Sequence, residues 1–208
     1  MDRKANILKR FIIYMAILTF VMFTVWAFIK SFKNRPPGDY HTEVCDMRLK
    51  DEKYSEALMA ANTALEKTPN HRGAIMCRAL IFISQEDYLK ANSELNYLIN
   101  FLEQNIEDDD KTGKGTLAAA YANRGIIKDR NKNYEDALKD YIKALGIDHV
   151  AVAGPGLGTI ILNYKFKSSS VKERALYLNE QLQLPAEERV LRIKELDEGQ
   201  VMHKPGKL

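Results

Sequence analysis

The segment HVAVAGPGLGTIIL, residues 149–162, has the residue types that come nearest to a nucleotide-binding loop. Gly154 and Gly156 follow a β-like run and precede an apolar segment. A dinucleotide fingerprint also needs a small residue where Thr159 stands, and a strand of a parallel sheet on either side. Because the flanking sequence predicts helices, we interpret the stretch from Gly154 to Gly158 as a loop. A nucleotide-binding enzyme that uses this loop is kept as an alternative.

Two further stretches match a phosphate loop or a cation site only in part. GKGT, residues 113–116, contains a Gly-Lys pair, but a phosphate loop would need Gly in place of Asp108 and Ser or Thr in place of Gly115. Asp108, Asp109 and Asp110 are consecutive, so regular structure cannot turn all three carboxylates toward one cation. We interpret both stretches as parts of a solvated, flexible loop. We therefore expect no metal, no cofactor and no catalytic residue.

The cysteines and histidines show no spacing typical of a metal site. Cys45 and Cys77 are too few and too far apart for a metal site or a disulfide framework. A disulfide between them is conceivable in an oxidising compartment, but we favour free, buried cysteines. The four histidines are scattered, and we interpret them as surface residues: His41, His71, His149 and His203.

The charge of the chain is unevenly distributed. Residues 1–35 contain seven basic residues and one acidic residue, a net charge of +6, whereas the whole chain has a net charge of +3. The remaining residues are therefore slightly acidic, with a net charge of −3. A nucleic-acid-binding domain needs a basic face on its folded part, so we expect no nucleic acid partner.

Residues 11–29, FIIYMAILTFVMFTVWAFI, contain no charge and form a predicted transmembrane helix. At about 1.5 Å per residue they span roughly 28 Å, close to the hydrocarbon thickness of a bilayer. Tyr14 and Trp26 lie near the two ends, as interfacial aromatic residues do. A cleaved signal peptide is the alternative, but the apolar run is long and no A-x-A-like site follows it. We expect a single-pass signal-anchor protein, with residues 1–10 as its basic flank and residues 30–37 as a linker.

The orientation of the anchor follows from its flanks. A short basic N-terminus before a single span usually stays in the cytoplasm. Four basic residues precede the span and three lie in the fifteen residues after it. We therefore expect the body on the extracytoplasmic, or periplasmic, side, with a cytosol-facing docking receptor as the alternative.

Three segments of the body repeat one pattern. Ala57 and Ala91 are 34 residues apart, and Ala91 and Ala137 are 46 apart, which is longer by 12. The acidic segment 103–115, EQNIEDDDKTGKG, accounts for this excess as an insertion. Helical amphipathicity alone would give a period of 3.6 and no reason for a recurrence at 34. The three segments are KYSEALMAANTAL at 53–65, DYLKANSELNYLI at 87–99 and NYEDALKDYIKAL at 133–145.

This 34-residue pattern resembles the tetratricopeptide repeat (TPR) family, in which each repeat is two antiparallel helices. The resemblance covers residues 38–149 and implies an all-α fold. The expected order is the transmembrane helix, an α-α solenoid of about three TPR units, and a helical C-terminal cap and tail over residues 150–208. Helices that cross closely need small side chains at the contact. Eight small residues occupy such repeat-packing positions: Cys45, Ala57, Ala64, Ala79, Ala91, Gly125, Ala137 and Ala144.

The C-terminal region has its own helix signals. The stretch 168–184, SSSVKERALYLNEQLQL, predicts a helix that ends before Pro185. Ser170 and Glu173 form a possible capping box at its start. The stretch 186–199, AEERVLRIKELDEG, predicts a further short helix.

In the TPR family, the first helices of successive repeats line a concave groove that holds a partner's peptide or helix. The resemblance places seven residues of this chain in that groove: Met76, Leu80, Ile83, Ala122, Asn123, Ile126 and Asp129. The set is mostly apolar and lacks the lysines and arginines with which chaperone-binding relatives hold an acidic C-terminus. We therefore expect a membrane-anchored interaction scaffold or assembly factor for a membrane or envelope complex. The alternative is that the chain's own segment 195–208, ELDEGQVMHKPGKL, covers the groove.

Overall fold

The computed structural model describes residues 2–33, 36–153, 170–193, 197, 200 and 202–204. The regular structure of these residues is helical throughout, as the resemblance implies. A short 3-10 helix, Ala186–Glu188, follows the last α-helix. The loop from Gly154 to Gly158, with its nucleotide-site alternative, lies outside the described residues. Within the described residues the α-helices are α1 Asp2–Lys33, α2 Asp39–Lys50, α3 Tyr54–Lys67, α4 Arg72–Ser84, α5 Tyr88–Asn105, α6 Lys111–Arg130, α7 Tyr134–Asp148 and α8 Val171–Leu182.

Helix α1 presents apolar side chains to its surroundings between Asn6 and Lys30. The most apolar 18 residues of this stretch have a mean hydropathy of 2.4 and are not buried against the rest of the protein. Phe20 and Phe23 are 70% and 66% exposed. The helix is long and apolar enough to cross a membrane, and it continues to Lys33, into the predicted linker.

Helices α2–α7 form three helical hairpins that pack against one another in chain order. The turn inside each hairpin has the same backbone, with a non-glycine residue in the left-handed region at Glu52, Glu86 and Lys132 (φ 59°, 60° and 63°). These three residues are 34 and 46 positions apart, as the alanines are. The repeat is thus also visible in the turns, where the sequence carries no glycine to mark it.

The additional 12 residues of the second spacing lengthen two helices, so the expected flexible loop over residues 103–115 is wrong. Helix α5 has 18 residues where α3 has 14, and α6 has 20 where α4 has 13. The connection between them is only residues 106–110. Asp110 caps α6 by accepting a hydrogen bond from the backbone of Gly113 at 2.7 Å, and it pairs with Arg72. These contacts lower the pKa of Asp110, the side-chain bond from Arg72 most and the backbone bond from Gly113 next.

An arginine clamp recurs in the second and third hairpins. Arg78 bonds Glu94 in its own hairpin at 2.9 Å and Asn62 in the preceding hairpin at 3.1 Å. Arg124 makes the corresponding contacts, at 2.7 Å to Asp140 and 2.7 Å to Asn96. Each arginine therefore bonds its own hairpin and the one before it. These side-chain hydrogen bonds join neighbouring hairpins, in addition to the packing of the small residues.

The repeat-packing residues lie at the helix contacts, and all eight are buried. Seven have no exposed surface, and the eighth, Gly125, faces the ring of Tyr141 across the α6–α7 contact. A Cβ atom on Gly125 would lie 2.6 Å from Cε1 of Tyr141 and 3.3 Å from the carbonyl oxygen of Ala137. The absence of a side chain at Gly125 is what allows this approach.

Gly125→Ala is expected to lower the free energy of unfolding by about 1–3 kcal/mol, because an added methyl group must displace the Tyr141 ring. The matched control is Gly146→Ala in α7, where a Cβ atom would meet nothing within 4 Å. Alanine has the higher helix propensity, so the control should gain up to about 1 kcal/mol. Urea unfolding of both variants measures the difference. Equal changes in the two variants would contradict the close packing at Gly125.

The C-terminal region begins with the predicted capping box, which is confirmed. Ser170 accepts a hydrogen bond from the backbone of Glu173 at 3.2 Å, and Glu173 accepts one from the backbone of Ser170 at 3.0 Å. Helix α8 then packs on α7. Of the short helix predicted within 186–199, the structure has a 3-10 helix at Ala186–Glu188 and a helical residue at Asp197, whereas residues 189–193 are not helical. The side chain of Gln181 accepts a hydrogen bond from the backbone of Val190 at 2.7 Å, a contact that a helix would not allow.

Candidate functional site

The seven residues predicted to line the groove are all buried, with at most 3% of each exposed. Three lie on α4 and four on α6, the first helices of the second and third hairpins. What covers part of this surface is the chain itself. We call residues 189–208 the C-terminal tail; the structure describes 189–193, 197, 200 and 202–204 of it. The alternative of a self-covered groove is therefore the arrangement that the structure has.

Asn123 binds the tail through the backbone of a single residue. Its side-chain nitrogen donates to the carbonyl oxygen of His203 at 2.7 Å, and its side-chain oxygen accepts from the backbone N–H of His203 at 2.8 Å. Asn123 has no exposed surface, and the same nitrogen contacts the sulfur of Met76 at 3.6 Å. The bonds satisfy both backbone groups of a residue outside any helix, so they depend on the backbone of that residue and not on its side chain.

Asp129 joins the tail to α8 through a buried ion pair. Arg174 donates to both carboxylate oxygens at 2.7 Å, and Gln200 of the tail donates to one of them at 2.6 Å. Tyr141 donates to the same carboxylate at 3.1 Å. Arg174 and Asp129 are 1% and 2% exposed. Together these contacts fix α8 and the tail against the third hairpin.

The charge state of this cluster is set by competing effects. Burial by itself would lower the pKa of Arg174, but the hydrogen bonds and the charge of Asp129 outweigh it and raise the pKa. Burial, followed by the negative charge of Asp129, raises the pKa of Tyr141 well above its ordinary value. Arg174 therefore stays charged and Tyr141 stays a neutral donor over the physiological pH range.

Lys204 is the last described residue of the tail, and it forms an ion pair with Asp46 on α2. One carboxylate oxygen of Asp46 faces Lys204, whereas the other is buried and has no hydrogen-bond partner among the described residues. A cavity of about 720 Å³ lies beside this pair, and the described residues of the tail leave it open. Asp39, Thr42 and Glu43 of α2 line it, with Lys204 at its edge.

The disulfide between Cys45 and Cys77 corrects our interpretation of these residues as free cysteines. It joins α2 to α4, the first helices of neighbouring hairpins, with 6.5 Å between the two Cα atoms. Helices that pack side by side through small residues bring their Cα atoms within the distance that a disulfide spans. The bond ties α2, which carries Asp46, to the groove helix α4.

Two of the four histidines, His71 and His203, are buried or largely buried, against the expectation of surface residues. His71 accepts a hydrogen bond from the backbone of Ala74 at 3.2 Å as the N-cap of α4. Its other ring nitrogen contacts Asp39 at 2.8 Å. His203, a residue of the tail, is 7% exposed where the tail docks on α6. Both make contacts over long sequence separations, which no local pattern marks.

Burial lowers the pKa of His203 to about 4. An exposed histidine titrates near 6.5, so the neutral ring favours the docked tail, and this stability is lost as pH falls from 6.5 toward 4. Arg174 lines the same small cavity as His203, with its charge paired to Asp129. Between pH 7.5 and 5.0 the folded chain is expected to lose about 2 kcal/mol through this residue.

The measurement is urea unfolding of the wild type and of His203→Gln at the two pH values. The variant keeps the backbone bonds to Asn123 and has no titrating ring, so it should lose about 2 kcal/mol less than the wild type. Equal losses in the two proteins would show that His203 is not buried in the docked tail.

Comparison with solved structures gives the fold a name. The model superposes on the first TPR of Spaghetti (RPAP3), solved bound to the HSP90 peptide SRMEEVD, with a TM-score of 0.50. The match covers 71% of this chain and 94% of that chain. The chain has a TPR-like fold. At 16% identity the likeness concerns this fold alone. No protein-family model matches the sequence, and no curated protein matches it.

Three residues that bind Asp129 or Asp46 were not predicted from the sequence. Arg174, Gln200 and Lys204 lie outside the repeats, so the 34-residue period says nothing about them. One signal was available: Asp129 is the one carboxylate among the seven predicted groove residues, which are mostly apolar. A buried carboxylate needs a cationic or hydrogen-bonding partner, so Asp129 could have been used to search the C-terminal region for an arginine.

Proposed function

We propose that this chain is a membrane-anchored interaction scaffold or assembly factor that holds an extended segment of a partner protein on its TPR-like concave face. The observation that carries the proposal is the pair of hydrogen bonds between Asn123 and the backbone of His203. They support it because they hold a non-helical backbone on this face without regard to its side chain. In the absence of a partner, the chain's own tail occupies that position.

The anchor and the disulfide support the expected topology. Helix α1 is long and apolar enough to cross a membrane. Disulfides persist in oxidising compartments and are rare in the cytosol, so the Cys45–Cys77 bond favours a body on the extracytoplasmic side. A cytosol-facing docking receptor would instead keep both thiols reduced.

The acidity of α2 argues against an acidic ligand such as the peptide of the structural neighbour. SRMEEVD carries three carboxylate side chains. The open cavity of this chain presents Asp39, Glu43 and Asp46 on one helix, and like charges at close range repel each other. Partners of this chain should therefore differ in charge from the peptide of that neighbour.

The experiment is site-specific photo-crosslinking in native membranes, with the crosslinker at Asn105, which lines the open cavity. The matched control carries it at Met59, a 70% exposed residue of α3 outside the cavity. We expect the crosslinked peptides from Asn105, and not those from Met59, to map to one extended segment of one membrane or envelope protein. Capture of the chain's own tail alone would overturn the proposal, because the groove would then be an internal packing surface.

Trapping of thiols in intact cells tests the topology separately. With the body in an oxidising compartment, Cys45 and Cys77 should resist alkylation until a reductant is added. Alkylation without reductant would favour the cytosol-facing receptor.

A further inference from the structure

We propose that the groove selects partner segments with a lysine or arginine immediately after the residue whose backbone Asn123 binds, and that Asp46 recognises that cation. This inference rests on the proposed function and names the chemistry of its ligand. The tail is the intramolecular version of that ligand. Its residues His203 and Lys204 occupy the two adjacent positions.

The first step is that the backbone contact fixes where the next residue of the ligand lies. Asn123 binds the N–H and the C=O of the same residue, so the residue that follows the bound one is held at a set place relative to α6, whatever the bound side chain is. In the tail this following residue is Lys204, which meets Asp46.

The second step is that Asp46 requires a cation. Its carboxylate is partly buried, with 24% of the side chain exposed. One oxygen has no hydrogen-bond partner among the described residues. Burial of a carboxylate is costly unless a positive charge or hydrogen bonds compensate it. A neutral or acidic side chain in place of Lys204 would leave Asp46 without that compensation.

The third step is that the surroundings of Asp46 are acidic. Asp39 and Glu43 lie on the same helix and line the same cavity. The cavity is also lined by Arg72, which pairs with Asp110, and by His71, which contacts Asp39. With three carboxylates on its α2 side, the cavity favours a cation at the position of Lys204, and its volume of about 720 Å³ leaves room for further residues of a partner.

The test uses the full-length chain with the Lys204→Glu substitution, in nanodiscs. This substitution weakens the docking of the chain's own tail, because Asp46 repels a glutamate at this position. The probes are two fluorescent peptides, ELDEGQVMHKPGKL and the same peptide with Glu at the position of Lys204. We expect the lysine peptide to bind roughly 10-fold tighter than the glutamate peptide, with the ratio falling as salt is added. The same two peptides are also tested on the Asp46→Lys variant of the otherwise wild-type chain, in which Lys204 of the tail is repelled; there the glutamate peptide should bind tighter. Glu66→Lys is the control, because Glu66 is an exposed residue of α3 that does not line the cavity.

The outcomes separate this inference from the proposed function. Equal binding of both peptides, unchanged by Asp46→Lys, would overturn the cation preference and leave the peptide-binding groove standing. Binding of neither peptide would overturn both. A dimer that forms as the concentration of the chain rises, and that the lysine peptide dissociates, would identify a second copy's tail as the occupant and overturn the partner segment.

Discussion

Replacement of Arg174 by alanine is expected to lower the free energy of unfolding of the full chain by about 3–5 kcal/mol. The substitution leaves Asp129 charged, 2% exposed and without the two hydrogen bonds of 2.7 Å that Arg174 gives it. An uncompensated buried charge costs far more than the packing of the deleted side chain. The loss should appear in urea unfolding and as faster proteolysis of the tail, because Arg174 also bonds the carbonyl oxygen of Leu191 at 3.0 Å.

The control for Arg174→Ala is Lys172→Ala, which removes an exposed cation from the same helix. It should change the stability by less than about 0.5 kcal/mol. A double variant, Arg174→Met with Asp129→Asn, separates the charge from the packing. The introduced amide keeps an acceptor for Tyr141 and Gln200 and has no charge to compensate, so the double variant should be more stable than Arg174→Met alone. If it is not, the buried charge is not the source of the loss.

Removal of the Cys45–Cys77 disulfide is expected to cost about 3–4 kcal/mol. The bond closes a loop with a sequence separation of 32 residues. The chain-entropy relation gives about 3.7 kcal/mol for a loop of that length, because the cross-link restricts the unfolded chain. Alanine is the suitable replacement at both positions, since both cysteines have no exposed surface and sit at close helix contacts.

Urea unfolding with and without a reductant measures the contribution of the disulfide. The wild type should lose about 3–4 kcal/mol when the reductant is added, and the Cys45→Ala, Cys77→Ala variant should show the lower stability under both conditions. The double variant also serves as the control. It has no disulfide, so a change in its stability on addition of the reductant must have another cause. A wild type that is equally stable when thiol counting shows complete reduction would contradict the prediction.

We also expect the variant to hold the peptide ligand less tightly, because the bond fixes the position of α2 and hence of Asp46.

The self-occupied groove changes how binding by this TPR-like protein must be measured. A partner has to displace a tail that is held by Asn123, Asp129 and Asp46. The tail is covalently attached and present at a high effective concentration, so a partner that binds as tightly as the tail will appear much weaker. Affinities should therefore be compared between the wild type and variants with a weakened tail.

The sequence alone determined the helical repeat, the packing positions and the apolar first helix. These features depend on spacing along the chain: close helix crossings require a small residue at a fixed register, and Ala57, Ala91 and Ala137 recur in that register. The capping box of Ser170 and Glu173 is likewise local, since its two residues are three positions apart. Physical rules that act within a few turns of helix can be read from residue order.

Only the tertiary structure decided what fills the groove and what ties its walls together. The contacts of Asn123 with His203, and of Asp129 with Arg174, join residues 80 and 45 positions apart. Neither contact belongs to the 34-residue repeat, so neither has the recurring sequence pattern that identified the packing alanines. The helical course of residues 111–115 was also decided in three dimensions, where the Asp110 cap and its Arg72 partner outweigh the low helix propensity of Gly113 and Gly115. Such pairings depend on which distant surfaces come into contact in the folded chain. A buried charge is compensated only when its partner lies beside it there, so residue order alone does not give its free energy of burial.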